Sequence, residues 1–547
     1  MVVELTSPVA AEAADPPVHL GGAAIPRWRP PTSGRRLARY RLDEYESGIV
    51  MVQVAAGVAF TLMVLSSLVL VSLTAARPSW LSPTSQRAGD FPIWLAGPLG
   101  HLTSWFTLNF SGLNIAFTVL VATMYGCYLI VVFAAPRLRP EFALGAMVLV
   151  YLIFLLSPPM QLTDVFNYIN YARMEVLHGL NPYTTIPALG PSTDPTYALS
   201  NWHGLLSPYG PLFTLFTFLL VPLGVAGAFW AIKLALMVLC LGIVWLVWRC
   251  AELLGRDPLT AALFVGLNPL VLVWGLGGDH NDFFMVFAIM LALYLLLRAE
   301  SARVGLRPSH AAQRARSGAV SIVQRGFAWL DGTPRPLPIG EPGPWLELGA
   351  GAALAAAVAI KASAAIVVPV MIFGAPRRMR FALGLLIGLL VFGAATVFAF
   401  GFNLPNIAQQ DVLVVQAGVP NVLGYILGAG GESAHLHTLL SEGLVIGVVG
   451  CTLWTARTRR WITASGVAIL LLLLTLSWML PSYMLWLLPF AALARRRWLR
   501  VTSVVFGIYI FLFWMPYAGD VESFFGLHLA STALAQQLAT LQHSLEY

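Results

Sequence analysis

Charge is what this 547-residue sequence has least of: Asp, Glu, Lys and Arg make up 10% of it, against 58% hydrophobic residues and a mean hydropathy of +0.77. Soluble globular chains are about one quarter charged. The scarcity excludes a disordered protein and a cytosolic nucleic-acid binder, and it indicates an all-α polytopic membrane protein with no nucleic-acid partner. Lysine is nearly absent. Only Lys233 and Lys361 occur among 32 basic residues, and both lie inside apolar segments. Cysteine is rare too, and Cys127, Cys240, Cys250 and Cys451 lack metal or disulfide spacing, so they read as small hydrophobes. No Walker-type phosphate loop occurs, which argues against an ATP-driven pump. No internal repeat and no cleavable signal peptide are visible.

What is abundant is apolar sequence. A helix crossing the hydrocarbon core needs about 20 apolar residues. Thirteen stretches are candidates: 49–74, 113–134, 141–157, 209–224, 226–248, 260–275, 282–298, 346–375, 381–401, 436–454, 461–479, 482–494 and 500–515. Residues 209–224 are short and bounded by Pro211 and Pro222. Residues 346–375 are rich in Ala and Gly and interrupted by Lys361. If both are re-entrant or broken and return to the side they came from, 27 of the 30 arginines lie inside and only Arg77, Arg87 and Arg173 outside. That distribution obeys the positive-inside rule. The fold expected is therefore about 11–13 transmembrane helices over 49–515 in the plasma membrane. A flexible cytoplasmic tail is expected at 1–48, an Arg-rich cytoplasmic loop at 299–345, an extracytoplasmic loop at 158–208 and an extracytoplasmic tail at 516–547. Non-helical backbone at membrane depth survives only where it lines a protein cavity, so the two irregular segments predict where a site lies.

Four polar clusters stand at the outer boundary. Asp164 begins an amphipathic stretch with Tyr168 and Arg173; it reads either as a helix-N-terminal acid favoured by the dipole or as a reactive carboxylate. Asp279, His280, Asn281 and Asp282 follow two glycines between apolar runs, either as a solvated turn or as a functional cluster. Adjacent residues rarely all reach one ion, so no metal site is expected there. Lys361 in mid-segment costs about 2.5–3.5 kcal/mol on insertion scales and needs a partner or a wet cavity; an anion such as a lipid phosphate suits it. Lys233, near the outer end of its span, reads as snorkelling or structural. Ser477, Trp478, Tyr483 and Trp486 form the fourth cluster. Together with Trp80, Trp94, Trp105, Trp202, Trp274 and Trp514 they fit an interfacial aromatic belt, although aromatics beside a polar opening can also hold a sugar face or a lipid tail.

The order Pro158-Pro-Met, Asp164-Val-Phe-Asn-Tyr168, Gly179-Leu-Asn-Pro-Tyr183, Pro208-Tyr209-Gly-Pro-Leu212, Asn268-Pro269 and Gly278-Asp-His280-Asn281-Asp282 resembles the actinobacterial α-(1→6)-mannopyranosyltransferases. The likeness is clearest over about 141–300. These are GT-C-type membrane enzymes that use polyprenyl-phosphate-mannose to build lipomannan and lipoarabinomannan. The family pattern places Glu where this chain has Asp282; the acid is retained. The resemblance implies a GT-C fold, a lipid-linked mannoside acceptor and an extracytoplasmic active site, with Asp164 as the base of an inverting transfer. An inverting transfer to an alcohol needs one base, and the leaving phosphate needs cations or N–H donors. Lys361, Arg173 and His280 are the candidates for the phosphate. Asp279, Asn281, Asp282, Tyr168, Tyr209, Tyr483 and Trp486 are candidates for sugar and acceptor. No cofactor is expected and no metal is required. The competing readings are a lipid-linked sugar flippase or transporter, which also uses broken helices, and transfer of another sugar such as arabinofuranose.

Overall fold

The computed structural model describes residues 33–83, 92–102, 108–304, 345–406 and 413–546. The expected tail is thus outside the described residues over 1–32, as is most of the expected loop at 299–345. The chain divides into two units, Met1–Met51 and Val52–Tyr547. In the first, the described residues from Ser33 onward are helical. Everything below concerns the second.

That unit is helical, and among the described residues the only extended pairing is the single bridge Ser79–Ser82. In chain order the helices that build it include α1 (Val50–Ala76), α2 (Phe110–Ala134), α3 (Pro140–Leu155), α4 (Asp164–His178), α5 (Pro211–Phe218), α6 (Gly224–Leu253), α7 (Pro258–Gly266) and α8 (Asp282–Val304). There follow α9 (Trp345–Ile360), α10 (Val368–Gly374), α11 (Arg378–Phe400), α12 (Ala434–Thr458), α13 (Trp461–Thr475), α14 (Met484–Leu493), α15 (Arg497–Phe513), α16 (Ala518–Phe524) and α17 (Ala533–Glu546). Among the described residues six helices are long and apolar enough to cross a membrane, or seven if the bent pair α15–α16, which turns through 109°, counts as one span. Five further apolar helices have 10–17 residues. The thirteen apolar stretches therefore do not all appear as full-length spans, because turns and prolines cut several of them short. The protein is an all-α polytopic membrane protein. Outward-facing apolar side chains such as Phe398 and Ile446, which no soluble surface would carry in such number, meet lipid.

Three local features position the site. After α9 the chain breaks at Lys361, whose backbone is extended (φ −155°, ψ 123°), and resumes as a 3₁₀ turn over Ala362–Val367 before Pro369 opens α10. The carbonyl of Ile360, orphaned by that break, accepts the backbone N–H of Gly210 at 3.1 Å. A Cβ on Gly210 would stand 2.3 Å from the Ala359 carbonyl oxygen, so only glycine permits this approach. The two segments singled out as irregular thus meet each other. Residues Val271–Leu276 form a π-helical turn, a geometry frequent beside functional sites. It carries the chain into the Gly277–Asp282 turn, where Asp279 adopts φ +58°.

One expectation is corrected here. Trp274 is no belt residue: it is fully buried and packs edge-on against Phe117 at 5.8 Å between ring centres. Within the segment 516–547, α16 and α17 fold back, and the Leu545 carbonyl accepts from the Gly204 N–H at 2.8 Å. The four cysteines are buried and free.

Candidate active site

Asp164 is the first residue of α4, after Thr163, and no side chain caps that helix. The carboxylate is therefore not spent on its own N-terminus. Its neighbours are Asn167, whose amide donates to Oδ1 at 3.4 Å, and His280, whose Nδ1 lies 3.6 Å from Oδ2. Asn167 is clamped to Asn201: it donates to the Asn201 side-chain oxygen at 2.6 Å and accepts the Asn201 backbone N–H at 3.0 Å. Asn170 extends the seam, donating to Ser200 Oγ and accepting from Thr196 Oγ1. The loop that follows α4 is thus tied along one face of that helix, and Asp164 is held at its end.

The Gly277–Asp282 turn is not solvated. Asp279, His280, Asn281 and Asp282 are all buried. Asp279 accepts from Lys233 Nζ at 2.8 Å, and Lys233 also reaches Ser157 Oγ at 3.2 Å. Lys233 is therefore the buried partner of Asp279 and does not snorkel. Asp282 Oδ1 accepts from Lys361 Nζ at 2.6 Å and from Trp486 Nε1 at 2.9 Å. His280 Nδ1 stands 3.8 Å from Asp282 Oδ2, so the imidazole lies between two carboxylates. Burial pushes that imidazole below its ordinary pKa, against the upward pull of Asp164 and Asp282. Tyr168 OH accepts the Asn281 N–H at 3.3 Å, which ties α4 to the turn.

Lys361 lies over the rings of Tyr483 (4.5 Å) and Trp486 (5.1 Å), which are themselves stacked at 4.3 Å. Tyr209 meets Tyr168 edge-on at 4.6 Å. These residues surround a cavity of about 380 Å³. Of the residues singled out from the sequence, Asp164, Tyr168, Tyr209, His280, Asn281, Lys361, Tyr483 and Trp486 line it. Asp282 lies behind Lys361 and Trp486, and Asp279 is turned to Lys233.

Arg173 stands apart. Its guanidinium chelates Asp194 at 2.9 and 3.0 Å through Nε and at 2.9 Å through Nη2, and it does not line the cavity. Burial raises the Asp194 pKa, but the hydrogen bonds from Arg173 and Thr196 outweigh it and hold the carboxyl well below the usual range. The pair braces the loop after α4, and Arg173 stands away from the cavity.

Sequence reasoning missed three features: the Lys233–Asp279 pair, the Asn167–Asn201 clamp, and a second polar group in which Glu432 Oε1 accepts from Ser477 Oγ at 2.6 Å and contacts His437 Nδ1 at 2.9 Å. The scarcity of lysine was the one available signal for the first. The arrangement can accept a proton at Asp164, hold an anion at Lys361 and lay a ring against Tyr483 and Trp486.

Residues 58–376 match the family model described as alpha-(1->6)-mannopyranosyltransferase, N-terminal domain. The chain is similar to alpha-(1->6)-mannopyranosyltransferase Rv1459c of Mycobacterium tuberculosis, 26% identical over 418 residues, covering 70% of each chain. It is also similar to alpha-(1->6)-mannopyranosyltransferase A of the same organism, 26% identical over 67% of this chain and 68% of that one. A shorter match, 32% identical over 26% of this chain and 29% of the relative, is to alpha-(1->6)-mannopyranosyltransferase A of Corynebacterium glutamicum. No solved structure matches.

Proposed function

Since the chain belongs to the alpha-(1->6)-mannopyranosyltransferase family and is a membrane glycosyltransferase, we propose that it moves mannose from polyprenyl-phosphate-mannose to a lipid-anchored mannoside, extending an α-1,6-mannan of the lipomannan type. The transfer takes place on the extracytoplasmic face and inverts the anomeric carbon. The observation that carries this reading is the meeting of Asp164 and Lys361 on one cavity wall system, from segments nearly two hundred residues apart.

The chemistry follows from what each group is free to do. Among the described residues Asp164 accepts one long side-chain hydrogen bond, from Asn167, with His280 Nδ1 at 3.6 Å, so its carboxylate is open to the hydroxyl of an acceptor sugar. It takes that proton as the hydroxyl oxygen attacks C1 of the donor mannose. The bond between C1 and the phosphate oxygen breaks on the opposite face, and its electron pair leaves with the polyprenyl phosphate. A β-linked donor then gives an α product. Lys361 spends one of its three N–H donors on Asp282 and has others for the phosphate; desolvation in the cavity strengthens that attraction. Tyr483 and Trp486 offer faces to the sugar. Asp282 orients Lys361 and Trp486, and Asp279 holds the turn. The proposal assigns the phosphate charge to Lys361 and includes no metal and no cofactor.

The test is a transfer assay with the purified full chain in nanodiscs, radiolabelled polyprenyl-phosphate-mannose, an α-(1→6)-mannoside acceptor and a metal chelator. Label passes to the glycan with the wild type, while Asp164→Asn loses about two to four orders of magnitude in turnover but still binds donor. Near-wild-type turnover by Asp164→Asn would remove it as the base. Loss of wild-type transfer on chelation would overturn the metal-free mechanism.

A further inference from the structure

The cavity has a wall that the transfer chemistry does not use. His437, Ser441 and Leu444 stand on one face of α12 at i, i+4 and i+7, and all three line it. Ser477 and Trp478, in the link between α13 and α14, line it as well, and so does Trp202 of the outer loop. Behind them Glu432 is buried, with the Asn421 side-chain oxygen accepting its backbone N–H at 3.0 Å. A carboxylate can only accept hydrogen bonds, so the contact to His437 puts a proton on Nδ1 and leaves Nε2 free of that carboxylate as a polar group.

The two indoles meet edge to face at 5.7 Å, and both are half-buried. Trp202 holds φ +60°, a conformation a bulky side chain keeps only when its surroundings impose it. Here they do: the next residue, His203, stacks on Tyr197 at 4.0 Å, and its ring nitrogen contacts the Tyr197 carbonyl at 3.0 Å. Such strain clusters where a side chain must be aimed.

We propose that this wall is a second sugar subsite, which binds the next pyranose of the acceptor chain behind the one that reacts. It rests on the transfer reading above. Indole faces match the apolar C–H faces of a pyranose, and His437 Nε2 with the Ser441 hydroxyl matches its hydroxyl rim. A polyprenyl tail would gain nothing from a buried carboxylate that holds a histidine in place. The donor carries one mannose, whose phosphate belongs at Lys361, so a further pyranose in this cavity comes from the acceptor.

The experiment compares octyl α-mannoside with the octyl α-(1→6)-mannotrioside as acceptors, for wild type, His437→Ala, Trp478→Ala and Glu432→Gln. The wild type prefers the trioside, and the variants reduce that preference about tenfold through KM of the trioside, while KM for the donor moves less than about twofold. Glu432 is buried, so its variant is read only if it elutes as the folded monodisperse protein; the half-exposed His437 and Trp478 keep the test open if it does not. An unchanged preference in both of those variants, or a rise confined to donor KM, overturns the subsite. A wild type that transfers to both acceptors without preference overturns the subsite alone, whereas a wild type that transfers to neither overturns the transfer reading with it.

Discussion

Lys233 and Lys361 are the chain's only lysines, and each meets an aspartate of the same turn, Lys233 at Asp279 and Lys361 at Asp282. Every other basic residue is arginine. A compact ammonium fits between helices where a planar guanidinium would demand more acceptors than one buried carboxylate offers. The Lys233 pair is almost entirely removed from solvent. Breaking such a pair leaves an uncompensated charge and costs about 3–5 kcal/mol, more than the intact pair contributes. Lys233→Met is therefore expected to lower the thermal unfolding midpoint in detergent sharply. Lys233→Met combined with Asp279→Asn recovers most of the loss, because asparagine tolerates φ +58° and carries no charge. A double variant no better than the single would mean that the pair does not act as a charge pair. The motif itself was legible in the sequence. Its partners were not, for they lie 46, 79 and 204 residues away in Lys233, Lys361 and Trp486, and no local pattern encodes them.

Among the elements, α9 and α11 pack closely, and small residues make it possible. A Cβ on Gly351 would stand 2.1 Å from the Phe381 carbonyl oxygen, and one on Gly384 2.1 Å from that of Leu348. Packing of this kind suits a membrane, where lipid is as apolar as any side chain and close van der Waals contact drives association. Since α9 ends at the break that presents Lys361, the seam fixes the depth of the ammonium. Gly384→Val is expected to push α11 away, reducing yield of folded protein and transfer activity together. Gly393→Val, on the same helix with open space around it, leaves size-exclusion profile and yield near wild type. Equal behaviour of the two would show that the seam does not hold α9. Apolar runs and the Lys361 interruption made most of these helices, and the break, readable from sequence. The seam was invisible there, because a glycine between helices looks the same as a glycine facing lipid. The folding back of α16 and α17 was invisible for a related reason: α17 has no fully buried side chain, and its Leu545 carbonyl accepts from the backbone of Gly204.

Within the second unit the polar chemistry collects at one set of helix ends, and Arg495, Arg496, Arg497 and Arg256 collect at the other. The cavity takes residues from the starts of α4 and α8, the end of α9 and the approach to α14. The far end of α14 runs into Arg495, Arg496 and Arg497. Arg256, in the turn between α6 and α7, joins that group: burial, then the nearby Arg500 and Arg495, lowers its pKa to about 10. Under the positive-inside rule a crowd of cations of this kind is expected beside anionic lipid on the cytoplasmic side, and the proposed transfer then has the cavity facing outward. The four native cysteines are buried, so an added thiol gives a clean readout. Ser192 is exposed in the outer loop and Arg496 is exposed in the arginine turn. In intact cells an impermeant maleimide is expected to label Ser192→Cys and to label Arg496→Cys only after the membrane is opened. The reverse pattern would put the cavity in the cytoplasm and force the donor, the acceptor and the loop at 158–208 to be reassigned together, since all three depend on which leaflet Lys361 faces.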